Sequence, residues 1–185
     1  MKGALAGKDS ESLETIVARA RAGSREAFDE LIRHFEKNVM KTALYLTRNL
    51  DDAQDVAQEV YIKIFRRLET YQENEKLDRW IYRITVNAAR DFQRKRRFWQ
   101  PLELIFAAKT AHDPVMAAEI RTRLLHSLGR LSFNERAAFV FKELKEMETA
   151  EVAEILECSQ VSVRGYLHGA RKKMQKFFRD YREQV

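Results

Sequence analysis

Only six glycines and two prolines occur among the 185 residues of this chain. Tight turns draw on these two residue types, glycine for positive φ and proline for a fixed φ. A chain so poor in both is confined to long helices with few turns, an all-α fold. The apolar spacing agrees. Leu13, Ile16, Val17 and Ala20 share one helical face from Ser12 to about Gly23. Ser24 is placed to cap a second helix, where Phe28, Leu31, Ile32, Phe35, Val39, Ala43 and Leu46 recur at three and four until Asn49 and Leu50 break the stripe. Asp51 with Gln54 reads as a capping-box variant opening a third helix through about Leu68. No strand-like alternation and no internal repeat accompany these patterns.

The polar, aperiodic TYQENEKL stretch (residues 70–77) reads as a loop. Asp78 then caps a helix from Arg79 to about Arg96 whose buried stripe is Ile81, Ile84, Thr85, Ala88 and Phe92. Pro101 and Pro114 punctuate the next stretch. Its LELIFAA segment (Leu102–Ala108) is oddly apolar for a linker and is placed to hold two domains together. Met116, Ile120, Leu124 and Leu128 form a further helix ending near Gly129. Ser132-Phe133-Asn134-Glu135 is a capping box for a helix to about Lys145. Thr149 caps AEVAEIL, and Ser159 caps a final helix that runs to Tyr181. The organisation expected is two small helical domains, 12–97 and 115–182, joined by a linker at 98–114.

A net charge of +6 favours a polyanionic partner. Charge is also sorted: basic residues gather at Arg90–Arg97 and at Arg164–Lys176, acidic ones at 51–59. With one cysteine, Cys158, no internal disulfide can form, and Cys158 reads as a small turn residue rather than a reactive thiol. No apolar leader and no apolar run of about 18 residues is present, so a cytoplasmic protein with no membrane insertion of its own is expected. The histidines at 34, 112, 126 and 168 are scattered, without metal-ligand spacing, and no glycine-rich phosphate loop occurs. No catalytic residue, metal or cofactor is expected.

Residues 149–174 fit a helix–turn–helix. Val152, Ala153, Ile155 and Leu156 bury the first helix, Glu157-Cys158-Ser159 makes the turn, and Val163, Leu167, Ala170 and Met174 bury the second. Gln160, Ser162, Arg164, Gly165, His168, Arg171 and Lys172 are left facing outward. The amino end of such a helix reaches base edges and its later turns meet phosphates. That assigns Gln160, Arg164 and His168 to bases, and Arg171, Lys172 and Lys173 to the backbone. Upstream, the third helix displays Asp52, Asp55, Gln58, Glu59, Lys63 and Arg66, with Tyr61, Ile62 and Phe65 at the edge. Such a face would suit a protein partner, but spacing alone favours an ordinary solvated face there. The helix from Trp80 to Arg97 pairs aromatics with a dense basic end, suited to unpaired bases and their phosphates, although Trp80 also suits a core.

Five segments, GSREAFDELI, DDAQDVAQEVYIKIFRRL, RWIYRITVNAARDFQRKRR, LSFNERAAFVFKELKEMETAEVAEIL and VSVRGYLHGARKKM, resemble the bacterial sigma factors of RNA polymerase. The likeness is to their extracytoplasmic-function (ECF) group and extends from about Ser12 to Phe178. It implies that Asp52, Asp55, Gln58, Glu59, Lys63 and Arg66 meet core RNA polymerase, at the clamp coiled coil of its largest subunit. It further implies that Tyr71, Gln72, Glu73 and Asn74 capture a flipped base of the minus-ten element. Arg83, Asn87, Arg90, Arg94, Lys95, Arg96 and Arg97 would recognise and help melt that element. The helix–turn–helix would read the minus-thirty-five element in the major groove, close to the polymerase flap. A stress-response role, restraint by an anti-sigma factor and absence of enzymatic activity follow from the same resemblance. The competing reading is a helical regulator that binds DNA without polymerase, which leaves the acidic helix unexplained. Against the family pattern, Leu77 replaces a phenylalanine, Glu157 replaces a glycine, and Val161, Gly165, Tyr166 and Gly169 replace commoner small, serine or arginine residues.

Overall fold

A computed structural model of the chain describes residues 12–72, 75–99 and 115–182. Among these residues there are eight α-helices and no strand. The first half holds α1 (Leu13–Arg21), α2 (Arg25–Thr47), α3 (Leu50–Arg67) with a 3-10 turn at Leu68–Thr70, and α4 (Leu77–Trp99). The second holds α5 (Val115–Leu128), α6 (Phe133–Phe139) widening into a π-type turn at Val140–Leu144, α7 (Thr149–Leu156) and α8 (Gln160–Arg182). Residues 100–114 lie outside the described residues, and with them the expected role of Leu102–Ala108.

Side-chain caps set most helix starts. Ser24 Oγ accepts from the Ala27 amide at 3.2 Å. Ser132 and Glu135 form a reciprocal box, the Ser132 amide donating to the Glu135 carboxylate at 2.7 Å. Ser159 Oγ accepts from the Ser162 amide at 3.1 Å. Three starts differ from the sequence-based expectation. The third helix begins at Leu50, capped by Asn49 Oδ1 accepting from the Asp52 amide at 2.9 Å, and not by Asp51 with Gln54. Arg48 in the left-handed conformation (φ 65°) stops α2 and turns the chain in one residue, so the break is shorter than the sequence implied. Helix α4 begins at Leu77; the Arg79 and Trp80 amides both reach the Lys76 carbonyl, which leaves Asp78 inside the first turn, where its charge suits the helix dipole. For α7 the cap is Glu148, whose amide donates to the Glu151 carboxylate at 3.0 Å, and Thr149 is already helical.

The anticipated stripes pack into one large cluster and a smaller one of Leu128, Leu131, Val140, Ala170 and Met174. Leu31, Val39, Ala43 and Leu46 of α2 meet Ala53, Val56, Val60 and Ile64 of α3 and Ile81, Ile84, Thr85 and Ala88 of α4, all buried. In the second half Val140, Phe141, Val152, Ile155, Val163, Leu167 and Ala170 are buried. The two halves also close on each other: α4 packs along α7, and α2 touches α6, so a continuous apolar cluster runs from Ile16 to Leu167. Phe141 sits in this seam, fully buried, with its ring edge-on to Tyr82 of α4 at a centroid distance of 5.3 Å. Trp80 is a core residue, tilted against Tyr71 at 5.5 Å.

Truncating a buried phenylalanine costs about 3–5 kcal/mol. Phe141→Ala should therefore lower the urea midpoint of the whole chain in a single transition. Two separate transitions, with α1–α4 unaffected, would show that the halves do not share a core.

Candidate nucleic-acid and partner interfaces

Helix α8 is amphipathic because Val163, Leu167, Ala170 and Met174 recur at three and four and are buried against α5, α6 and α7. Glu157 ends α7 with φ 53°, and the chain re-enters helix at Gln160. That left-handed residue is the sharp turn of the helix–turn–helix, at the position where the family pattern has glycine. Cys158 in the turn is half-buried, and burial pushes its thiol up, so it stays protonated at neutral pH. Gln160, Arg164, Gly165, His168 and Lys172 are exposed together on α8, with Ser162 half-buried and held to Ser159 Oγ at 2.9 Å. Arg171 and Lys173 are exposed too but already carry carboxylate partners. Arg171 reaches Glu143 at 2.7 Å and Lys173 reaches Glu135 at 2.7 Å. A phosphate would have to compete with those contacts.

Helix α4 is engaged differently. Its side toward the second half is covered: Arg79 pairs with Glu154, and Asn87 Nδ2 donates to the Glu157 carboxylate at 3.2 Å. Arg90 donates to Asn87 Oδ1 at 2.9 Å and lies over the Phe133 ring. Arg83 pairs with Glu75 at 2.7 Å, Arg94 with Asp91 at 3.1 Å, and Arg96 with Asp52. Lys95 is exposed. Of the loop residues, Gln72 is exposed. Tyr71 is buried: its hydroxyl donates to the Glu75 carbonyl at 2.6 Å, and its carbonyl accepts from Arg21. It shapes the loop from inside. Glu73, Asn74 and the side chain of Arg97 lie outside the described residues.

On α3 the residues Asp55, Gln58, Glu59 and Arg66 form one exposed acidic and amide-rich strip. Asp52 and Lys63 do not join it freely, because Asp52 holds Arg96 while Lys63 bridges Glu59 and Asp91 at 3.5 and 3.7 Å. Beside the strip Phe65 is 69% exposed and Ile62 39%, with Phe65 edge-on to Phe28 at 5.2 Å. They lie off the buried stripe of Ala53, Val56, Val60 and Ile64. Among the described residues no group of His, Cys, Asp or Glu could hold a metal ion, and no helix is long and apolar enough to cross a membrane.

The seam between the halves holds two contacts that the sequence did not reveal. Arg136 of α6 is buried and donates across the seam to the Leu46 carbonyl at the end of α2, and to the Leu131 carbonyl at 3.1 Å. Lys145 donates to the Tyr82 hydroxyl at 3.0 Å and sits 4.4 Å from that ring's centroid.

Two family models match the chain, Sigma-70 region 2 over residues 31–98 and Sigma-70, region 4 over residues 121–174. The ECF RNA polymerase sigma-E factor of Haemophilus influenzae is 25% identical over 177 residues, covering 88% of this chain and 93% of that protein. The chain belongs to the ECF group of RNA polymerase sigma factors. As a member of that family it is a non-enzymatic transcription initiation factor. Two solved structures share the fold of this sigma factor, each with a TM-score of 0.69. One is CnrH in complex with the cytosolic domain of CnrY, 22% identical, covering 90% of this chain and 96% of that one. The other is the sigma factor RpoE in complex with the anti-sigma factor NepR from Bartonella quintana, 20% identical, covering 82% and 96%.

Burial of Lys145 makes the stability of this sigma factor pH-dependent. Burial, with Lys41 nearby and partly offset by Asp78, lowers the Lys145 pKa from 10.5 to about 8. Between those values the unfolded chain holds more protons than the closed one, so stability rises with pH across that window. The Tyr82 hydroxyl is pushed up, mainly by burial. The denaturation midpoint should climb from about pH 8 to about pH 10, and Lys145→Met should flatten the climb. A wild-type midpoint that falls over this range would contradict the assignment.

Proposed function

We propose that this sigma factor attaches to core RNA polymerase through the exposed strip of α3, opens the minus-ten element with α4 and the 71–77 segment, and reads the minus-thirty-five element with α8. The observation that carries this reading is the separation of three surfaces in one chain. An acidic and apolar face on α3 suits a protein, and two distinct basic helices suit nucleic acid. A regulator that uses only α8 has no use for the first two. Asp55, Gln58, Glu59 and Arg66 meet the clamp coiled coil, with Asp52 and Lys63 at the border. The second half lies close to the flap. Arg83, Asn87, Arg90, Arg94, Lys95, Arg96 and Arg97 act on the minus-ten strand, with Gln72, Glu73 and Asn74 around a flipped base.

The closed seam gives this reading an order of events. Asn87 and Arg90 meet α7 and α6 in this structure. Unstacking a base costs a few kcal/mol, which a pocket offsets only if it is accessible. The halves must therefore part before α4 works on a strand. Holding them together is the natural task of an anti-sigma factor, the kind of partner that the Bartonella quintana relative is bound to. The site of action is the cytoplasm, where core polymerase and promoter DNA are found.

The direct test adds the purified chain to core polymerase with a promoter library. Start-site-specific transcripts that depend on the chain are expected; if the chain neither binds core nor yields an open complex, the reading is wrong. Within that assay Asp55→Lys with Glu59→Lys should abolish core association while leaving DNA binding by the isolated chain in place. Arg164→Ala should relax specificity at one upstream base by about 1–3 kcal/mol, whereas Lys172→Ala should weaken binding to all sequences and lower the salt slope by about one. Equal, sequence-independent losses from both would remove Arg164 from base readout.

A further inference from the structure

Helix α8 breaks two local rules on the line that faces away from the core. Its buried residues are Val163, Leu167, Ala170 and Met174. At about 3.6 residues per turn, the side opposite them is centred on Val161, Gly165, His168 and Lys172, with Gln160 and Arg164 on its flank. Val161 is 73% exposed, the most exposed large apolar side chain among the described residues. A β-branched residue there gains nothing from packing and gives up side-chain freedom in the helix. One turn on, Gly165 sits inside a 23-residue helix, where a Cβ would meet nothing within 4 Å. Glycine at such a position costs about 0.5–1 kcal/mol relative to alanine. Nothing among the described residues packs on Val161 or closes on Gly165.

Together the pair makes a notch. Val161 is an apolar wall, Gly165 is bare backbone beside it, and the exposed Arg164 and His168 stand around them. The only apolar group that base pairs present in the major groove is the C5 methyl of thymine. We propose that the Val161–Gly165 notch reads a thymine methyl in the upstream promoter element. Val161 packs on the methyl, and the missing side chain at Gly165 lets the base edge come close. The notch rests on the reading that α8 enters the major groove, and it adds a base identity to it. An apolar face of a partner protein is a poorer fit, because Val161 is isolated among polar and basic neighbours and a protein contact needs a contiguous patch.

The test uses the holoenzyme and the upstream element that it selects. Each thymine of that element is replaced in turn by deoxyuridine, which keeps the pairing and removes only the methyl. At one position the wild type should lose roughly fourfold in affinity, the value of one buried methyl-sized group. Val161→Ser should bind thymine and uracil equally there, with helix content unchanged. Gly165→Ala should raise the thermal midpoint of the chain yet weaken binding to the selected element, with either base. The proposal is overturned if no thymine is methyl-sensitive in the wild type, if Val161→Ser keeps the preference, or if Gly165→Ala binds as well as wild type. Failure to select any upstream element would overturn the groove reading itself, and the notch with it.

Discussion

The guanidinium of Arg136 carries the closed form of this molecule. It is buried in the seam and donates to the Leu46 carbonyl at the end of α2 and to the Leu131 carbonyl just before α6. The C-terminal carbonyls of a helix are unsatisfied within it and carry partial negative charge, so they tolerate a cation better than most buried places. The position is still expensive. Burial, aided by Arg48 alongside, lowers the Arg136 pKa to about 10, and the Nε atoms of both arginines lack a hydrogen-bond partner among the described residues. The close approach also depends on Gly129, where a Cβ would stand 2.5 Å from Arg48 Nη1. Of the two acceptors only Leu46 lies in the opposite half, so that one hydrogen bond ties the end of α2 to α6. The neighbouring guanidinium charge of Arg48 works against it.

Opposing effects meet in the seam. The apolar part of the seam, around Phe141 and Tyr82, favours closure. The half-satisfied arginines and the lowered pKa of Lys145 oppose it. Anything that parts the halves has only the difference between these effects to overcome.

Much of the molecule was legible in the sequence because its helices follow one rule, apolar residues at three and four. The stripes of α4 and α8 fell where the spacing put them, and Ser24, Ser132 and Ser159 cap as their positions imply. Helix starts shifted by one or two residues where a backbone feature outweighed the capping motif, as the left-handed Arg48 did before α3. The surfaces were legible as charge, but their engagement was not. Asn87 with Glu157 and Arg136 with Leu46 join residues 70 and 90 positions apart, and no local pattern encodes such a pair. The inward turn of Tyr71 against Trp80 was not legible, because a loop aromatic looks alike in sequence whichever way it points.

Glu157 shows how closely folding and release are tied together. Its left-handed backbone turns the helix–turn–helix, and its carboxylate receives Asn87 from the opposite half. A glycine would take that backbone shape without the penalty of about 1–2 kcal/mol that an L side chain incurs there. It would also leave Asn87 without its acceptor. At this one codon, a gain in stability of the second half comes with a looser hold on the first, so drift toward a sturdier turn is also drift toward an unrestrained factor.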